Sequence, residues 1–191
     1  MRIISGKFRG LRLKTLKGQA LRPTSDQTRE TLFNVLGESI RDARLLDAYA
    51  GTGAVGIEAI SRGAAEAVFI EHHRPAAALI HENLRMLGLR GGYQVIIRPV
   101  WTALERLERE GSQFEFVFLD PPYAEIREYH RTLRELARSR ILLPSSLVIA
   151  EHSRQCLLEE KYGSLALVRL LRHGESQLAF YKKVGEQPAT L

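Results

Sequence analysis

From about residue 44 onward the chain alternates short apolar runs with amphipathic stretches, and that alternation restricts the fold more than any other feature of the sequence. Apolar runs of this length read as buried strands and the stretches between them as helices, the pattern of a mostly parallel sheet with helices on both faces. Strands are predicted at 44–49, 66–71, 93–98, 114–119, 146–151, 165–172 and 176–183, and helices at 54–62, 74–87, 101–110, 126–139 and 154–161. The last two strands are joined by His173, Gly174 and Glu175 alone. That is too short for a crossover helix, so they should form an antiparallel hairpin.

Ahead of this α/β body the sequence changes character. Residues 1–20 carry three glycines and short alternating runs such as Leu11-Arg12-Leu13-Lys14, which predict a small antiparallel β appendage. Arg22-Pro23-Thr24-Ser25-Asp26-Gln27 then reads as a helix start, with Thr24 and Gln27 in capping-box spacing, and Leu32, Phe33, Leu36 and Ile40 supply that helix's apolar face. The expected division is an appendage at 1–23, a body at 24–185 and a frayed tail at 186–191.

Charge follows the same division. The chain has 28 basic and 22 acidic residues, yet Arg2, Lys7, Arg9, Arg12, Lys14, Lys17 and Arg22 precede the first acid, Asp26. A positive segment on a near-neutral body suits an arm that grips nucleic-acid phosphates. A solvated hairpin without a partner would show the same charges.

Hydrophobic residues at 45% and charged residues at 26% exclude a disordered chain. The longest apolar runs, such as Ser146 to Ala150, fall far short of the roughly 20 residues of a membrane helix. Met1 to Lys7 shows no targeting pattern, so a cytoplasmic protein is expected. The single cysteine, Cys156, forms no internal disulfide and is read as a small core or surface residue. No metal is expected, because His72 and His73 are adjacent and lack the i, i+4 spacing of a zinc helix.

Two motifs carry chemistry. The fourth strand of the body runs directly into Asp120-Pro121-Pro122-Tyr123. The prolines lack N–H groups and fix the chain's exit from the sheet, while their carbonyls remain as acceptors. A nucleobase amine is a poor nucleophile because its lone pair is delocalised; a carboxylate and a rigid carbonyl, each accepting one N–H, draw the nitrogen toward tetrahedral geometry. Tyr123 would lie on the base face. Asp-Pro pairs also start ordinary turns, so the second motif decides.

That second motif ends the first strand: Asp47-Ala48-Tyr49-Ala50-Gly51-Thr52-Gly53-Ala54-Val55-Gly56, with Glu71 twenty residues after Gly51. An NAD-dependent dehydrogenase would show the same spacing. Asp47, however, would repel a pyrophosphate, and an acidic strand end suits the ammonium and sulfonium of S-adenosylmethionine. Glu71 would take the ribose hydroxyls in either case.

Together these residues resemble the class I S-adenosylmethionine-dependent methyltransferases, and more narrowly the bacterial 16S ribosomal RNA guanine-N2 methyltransferases of the RsmD type. The likeness runs through Met1 to Gly6, Arg22-Pro23-Thr24, Arg29 to Asn34, Asp47 to Gly56 and Asp120 to Tyr123. It implies a Rossmann-like, mostly parallel sheet of seven strands with an antiparallel last strand. It also implies methylation of a guanine exocyclic amine in small-subunit ribosomal RNA, free or in an assembling subunit; a monomer is expected. By resemblance, Asp47, Ala48, Gly51 and Gly53 border the methionine moiety and Glu71 the ribose; Arg22 and Thr24 lie nearby. Asp120, Pro121, Pro122 and Tyr123 hold the base, and Arg2, Lys7, Arg9, Arg12, Lys14 and Lys17 hold the RNA. Relatives often place Asp or Asn after the third strand to meet adenine, where this chain has Ile97-Arg98-Pro99-Val100-Trp101. Backbone groups and apolar contact should serve instead. A DNA adenine-N6 methyltransferase would use the same amine chemistry, but 191 residues leave little room for its target-recognition region.

Overall fold

The computed structural model describes residues 1–15, 24–122 and 125–184. Five helices and eight strands follow one another as α1 (Asp26–Leu36), β1 (Arg44–Asp47), α2 (Ala54–Ser61), β2 (Glu66–Ile70), α3 (Arg74–Met86), β3 (Tyr93–Ile96), α4 (Val100–Arg109), β4 (Phe114–Leu119), α5 (Ile126–Arg138), β5 (Leu142–Ser153), β6 (Lys161–Tyr162), β7 (Leu165–His173) and β8 (Ser176–Lys183). They build one sheet in the order β3-β2-β1-β4-β5-β8-β7-β6. β1 to β5 are parallel; β8 runs antiparallel to β5 and β7, the expected hairpin. The count is eight rather than seven, because Lys161 and Tyr162 add a two-residue edge strand on β7.

Strand alternation divides the core. Leu46, Val117, Leu119, Val148 and Ala150 face α4 and α5, while Leu45, Phe116, Phe118 and Ile149 face α1 and α2. Ala67 and Phe69 of β2 meet α2 and α3 on that second side.

Two local predictions are corrected. Helix α1 is capped by Ser25, whose hydroxyl accepts the Thr28 N–H at 3.0 Å, and not by Thr24. The Thr24 hydroxyl is engaged elsewhere, donating to Asp120. The helix expected at 154–161 does not form. Cys156 N–H bonds back to the Ser153 carbonyl, and Leu167 N–H to the Glu160 carbonyl, so the segment crosses the sheet as a turn and a loop. Burial of Cys156 and Tyr162 in the core, at 1% exposure each, holds it there. Cys156 is thus a core residue, and desolvation raises its thiol pKa, the reverse of what a nucleophile needs.

The N-terminal arm forms only one antiparallel bridge among its described residues, Arg2 with Arg12, and is docked on the body. Ile3 and Leu13 are buried with α2 and α3. Gly6 lies so close to α2 that a Cβ there would sit 1.8 Å from the Ser61 carbonyl oxygen. Beneath the arm, Glu58 and Arg29 are fully buried and 3.7 Å apart. Glu58 accepts the N–H groups of Ile4 and Ser5 at 2.8 and 3.0 Å and pairs with Arg62; Arg29 donates to the Arg2 carbonyl and to Asp26. Removing one member of such a cluster strands the others in a dry interior. Glu58→Ala should therefore cost about 3–5 kcal/mol in chemical denaturation. A loss below about 1 kcal/mol would show that the cluster is not the arm's anchor.

Candidate active site

The carboxyl ends of β1, β2, β4 and β5 bring together four acids that lie far apart in sequence. Pairing of Asp47 with Phe69 and with Phe118 sets it between β2 and β4. Asp120 and Glu151 follow the paired residues Leu119 and Ala150, so they stand side by side on the face that carries α1. Glu71 follows β2. The first and fourth strands are adjacent, as two motifs sharing one pocket require.

Past β1 the chain turns through Gly51 and Gly53, at φ of +52° and +77°, and enters α2 with Gly53 at its start. The space where a Cβ of Gly51 would project is open to 4 Å, whereas one on Gly56 would strike the Phe69 ring at 2.2 Å. Gly51 thus leaves room above the bend, and Gly56 lets α2 close onto β2. Asp47, 2% exposed, accepts the Gly56 N–H at 3.0 Å. Burial pushes its carboxyl up to about 7, helped by the charge of Glu71 and opposed by the Gly56 hydrogen bond. Glu71 braces the bend, accepting N–H groups from Gly51 at 2.8 Å and His73 at 2.7 Å. The Ala48 side chain is fully buried in the core below the bend.

At the end of β4, Asp120 is half-buried and accepts the Thr24 hydroxyl at 3.0 Å. Its pKa is raised well above the ordinary carboxylate value, first by desolvation, then by Glu151 and Asp47, with Thr24 opposing. The Pro122 carbonyl accepts the Glu125 N–H at 2.8 Å. The Tyr129 hydroxyl stands 3.1 Å from the Pro121 carbonyl and 2.7 Å from that of Glu151, which fixes the corner from the opposite face. Tyr123 and Arg22, together with Lys17 of the arm, lie outside the described residues.

Among the arm's basic residues, Lys7, Arg9 and Arg12 are exposed and form no ion pair with described residues, whereas Lys14 pairs with Glu82 and Arg2 stands 4.0 Å from Asp26. The arm reaches the glycine bend, with the Met1 sulfur 3.8 Å from the Thr52 hydroxyl.

Sequence reasoning missed Glu151 and Tyr129. Glu151 closes a predicted strand at the same sheet edge as Asp47 and Asp120, and that position was a usable signal. Tyr129 lies within the predicted helix 126–139, where nothing marks it off from a packing residue.

The arrangement has relatives. Residues 1–182 match the family model described as Conserved hypothetical protein 95. The chain belongs to this family. Among similar proteins is ribosomal RNA small subunit methyltransferase D of Haemophilus influenzae, 33% identical over 189 residues that cover 91% of this chain and 94% of that protein. A hypothetical protein of Thermus thermophilus has the same fold, with a TM-score of 0.81 and 33% identity over 96% of this chain and 99% of that one. An RNA methyltransferase of Salinibacter ruber, solved with S-adenosyl-L-homocysteine, shares the fold at a TM-score of 0.65 and 17% identity, covering 88% of this chain and 98% of that one. Among the relatives at about a third identity are proteins named methyltransferases, and the residues here fit S-adenosylmethionine as the methyl donor: a buried acid with no Lys or Arg paired to it among the described residues, above it a glycine bend with open space, and a second acid at the next strand end.

The raised pKa of Asp47 has a measurable consequence. The unfolded chain releases this proton near 3.8 and the folded chain near 7, so between those values folding takes up a proton and stability falls as pH rises. Asp47→Asn should remove a loss on the order of 4 kcal/mol from denaturation curves across that interval. Parallel pH profiles for the two proteins would contradict the assignment.

Proposed function

We propose that the protein transfers the methyl group of S-adenosylmethionine to the exocyclic N2 amine of a guanine in small-subunit ribosomal RNA. The observation that carries this reading is Asp120, a half-buried carboxylate beside two rigid carbonyls, one strand away from the acid and glycine bend that suit the donor. Its kinship with the Haemophilus influenzae methyltransferase supports the choice of RNA.

When bound, the cofactor supplies an electrophilic methyl group on a sulfonium. The chain supplies position and a proton acceptor. Asp47 faces the ammonium end and Glu71 the ribose, with the bend between them. Asp120 accepts one N–H of the amine, and the Pro121 carbonyl, held by Tyr129, takes the other through its second lone pair. As the N–C bond forms and the S–C bond breaks, the nitrogen must lose a proton, and a carboxylate with raised proton affinity is suited to receive it. Thr24 keeps that carboxylate oriented. Tyr123 is assigned the base face and Arg22 the neighbourhood of the cofactor. Residues 1–23 form the RNA arm, with Lys7, Arg9 and Arg12 as the phosphate contacts, since their charges are uncompensated by described residues.

Asp120→Ala should lower turnover on small-subunit RNA by about 10²–10³ and leave the Kd for S-adenosylhomocysteine within about twofold of the parent. Mass-spectrometric mapping of ribosomal RNA from cells without the protein should show one N2-methylguanine absent from the small subunit. Unchanged guanine methylation in such cells would overturn the proposal.

A further inference from the structure

The missing helix at 154–161 leaves a feature that the methyl-transfer site does not use. On the face of the sheet covered by α4 and α5, the loop after β5 lies beside β8 and β7 and closes over them only partly. What remains is a cavity of about 360 Å³. Ala179 of β8 contributes a small side chain to its lining. Toward the carboxyl edge of the sheet, the next residues across the strands are His152, Gln177 and Arg172, a polar row on the same face. Arg154 stands at the mouth, and Leu157 and Leu170 flank it at 81% and 42% exposure.

His152 defines what the cavity accepts. It is 3% exposed, and its Nδ1 lies 3.0 and 2.9 Å from the carbonyl oxygens of Ser153 and Cys156. Two acceptors beside Nδ1 fix the proton there, and burial lowers the ring's pKa, so the ring is neutral. Nε2 is therefore an acceptor, and it has no partner among the described residues. Neither Arg154 nor Arg172 forms a hydrogen bond or ion pair through its side chain with described residues, and no acid among the described residues lines the cavity. A buried acceptor, two uncompensated guanidinium groups and exposed leucines ask for a ligand with a hydrogen-bond donor, a phosphate and a flat apolar face.

We propose that this cavity binds a nucleotide of the RNA substrate next to the one being methylated, with its phosphate at Arg154 and Arg172, its base against the leucines and a base or ribose donor on His152 Nε2. The cavity lies beside the methyl-acceptor corner: His152 directly follows Glu151, and the Tyr129 ring that stands edge-on to His152 at 6.4 Å carries the hydroxyl that holds Pro121. A strand whose target base has left its stack presents its neighbours unstacked, ready for such a subsite. The inference rests on the RNA reading above for the identity of its occupant.

The test uses the full chain in two measurements. In ¹⁵N spectra of the histidine rings, nucleoside 5′-monophosphates should shift His152 Nε2, inorganic phosphate should not, and Arg154→Ala with Arg172→Ala should abolish the response. In methylation assays on small-subunit RNA, the same double substitution should raise KM about tenfold and flatten its logarithmic salt dependence by about 0.7 for each phosphate no longer held, with the Kd for S-adenosylhomocysteine unchanged as the control for folding. A His152 signal indifferent to nucleotides, or one moved only by an acidic peptide, overturns the subsite while guanine methylation stands. An unaltered KM and salt slope does the same. Failure of the parent protein to methylate RNA overturns the functional reading itself, and the occupant with it.

Discussion

Everything at the carboxyl edge of this sheet follows from Asp47 and Asp120, two carboxylates drawn out of water and set close to other acids. Asp47 and Asp120 each have raised proton affinity, and in each case desolvation contributes more than the neighbouring acids do. A fold bears such a cost where a ligand removes it. The ammonium end of the methyl donor suits Asp47, and an amine that sheds a proton suits Asp120. The Gly56 and Thr24 hydrogen bonds keep both acids in place until those groups arrive.

The arm is part of the same construction. Arg29 and Glu58 are buried out of water and direct their hydrogen bonds to the backbone of residues 2, 4 and 5. Because Arg29 lies on α1, and Thr24 just ahead of that helix bonds to Asp120, the cluster joins the basic arm to the Asp120 corner through one helix. Docking of the arm and placement of Thr24 are thus coupled by packing rather than by a direct contact.

Much of this was legible in the sequence, and the exceptions have physical causes. Periodicity located the seven longer strands, and the three-residue link between β7 and β8 forced a hairpin. Both motifs fell at strand ends because a parallel sheet puts its loops there. Residues 154–161 misled because their amphipathic pattern suits a helix, yet the Cys156 N–H turns back to Ser153 and the Glu160 carbonyl is taken by Leu167. Thr24 and Ser25 are equally good caps by composition, and only the tertiary demand of Asp120 decides between them. Glu151 and His152, adjacent on one strand, point to opposite faces and so serve two different places, which no local pattern reveals.

The central claim is that a cationic ligand completes the acid at the end of β1. Calorimetric titration of the protein with S-adenosylhomocysteine in buffers of different ionisation enthalpy measures the protons exchanged on binding. Below about pH 7 the free protein holds a proton on Asp47 that an adjacent ammonium expels. Release should approach one proton per site near pH 6 and vanish above about pH 8 or in Asp47→Asn. Binding at about pH 6 with no proton released, or with one taken up, would contradict the account.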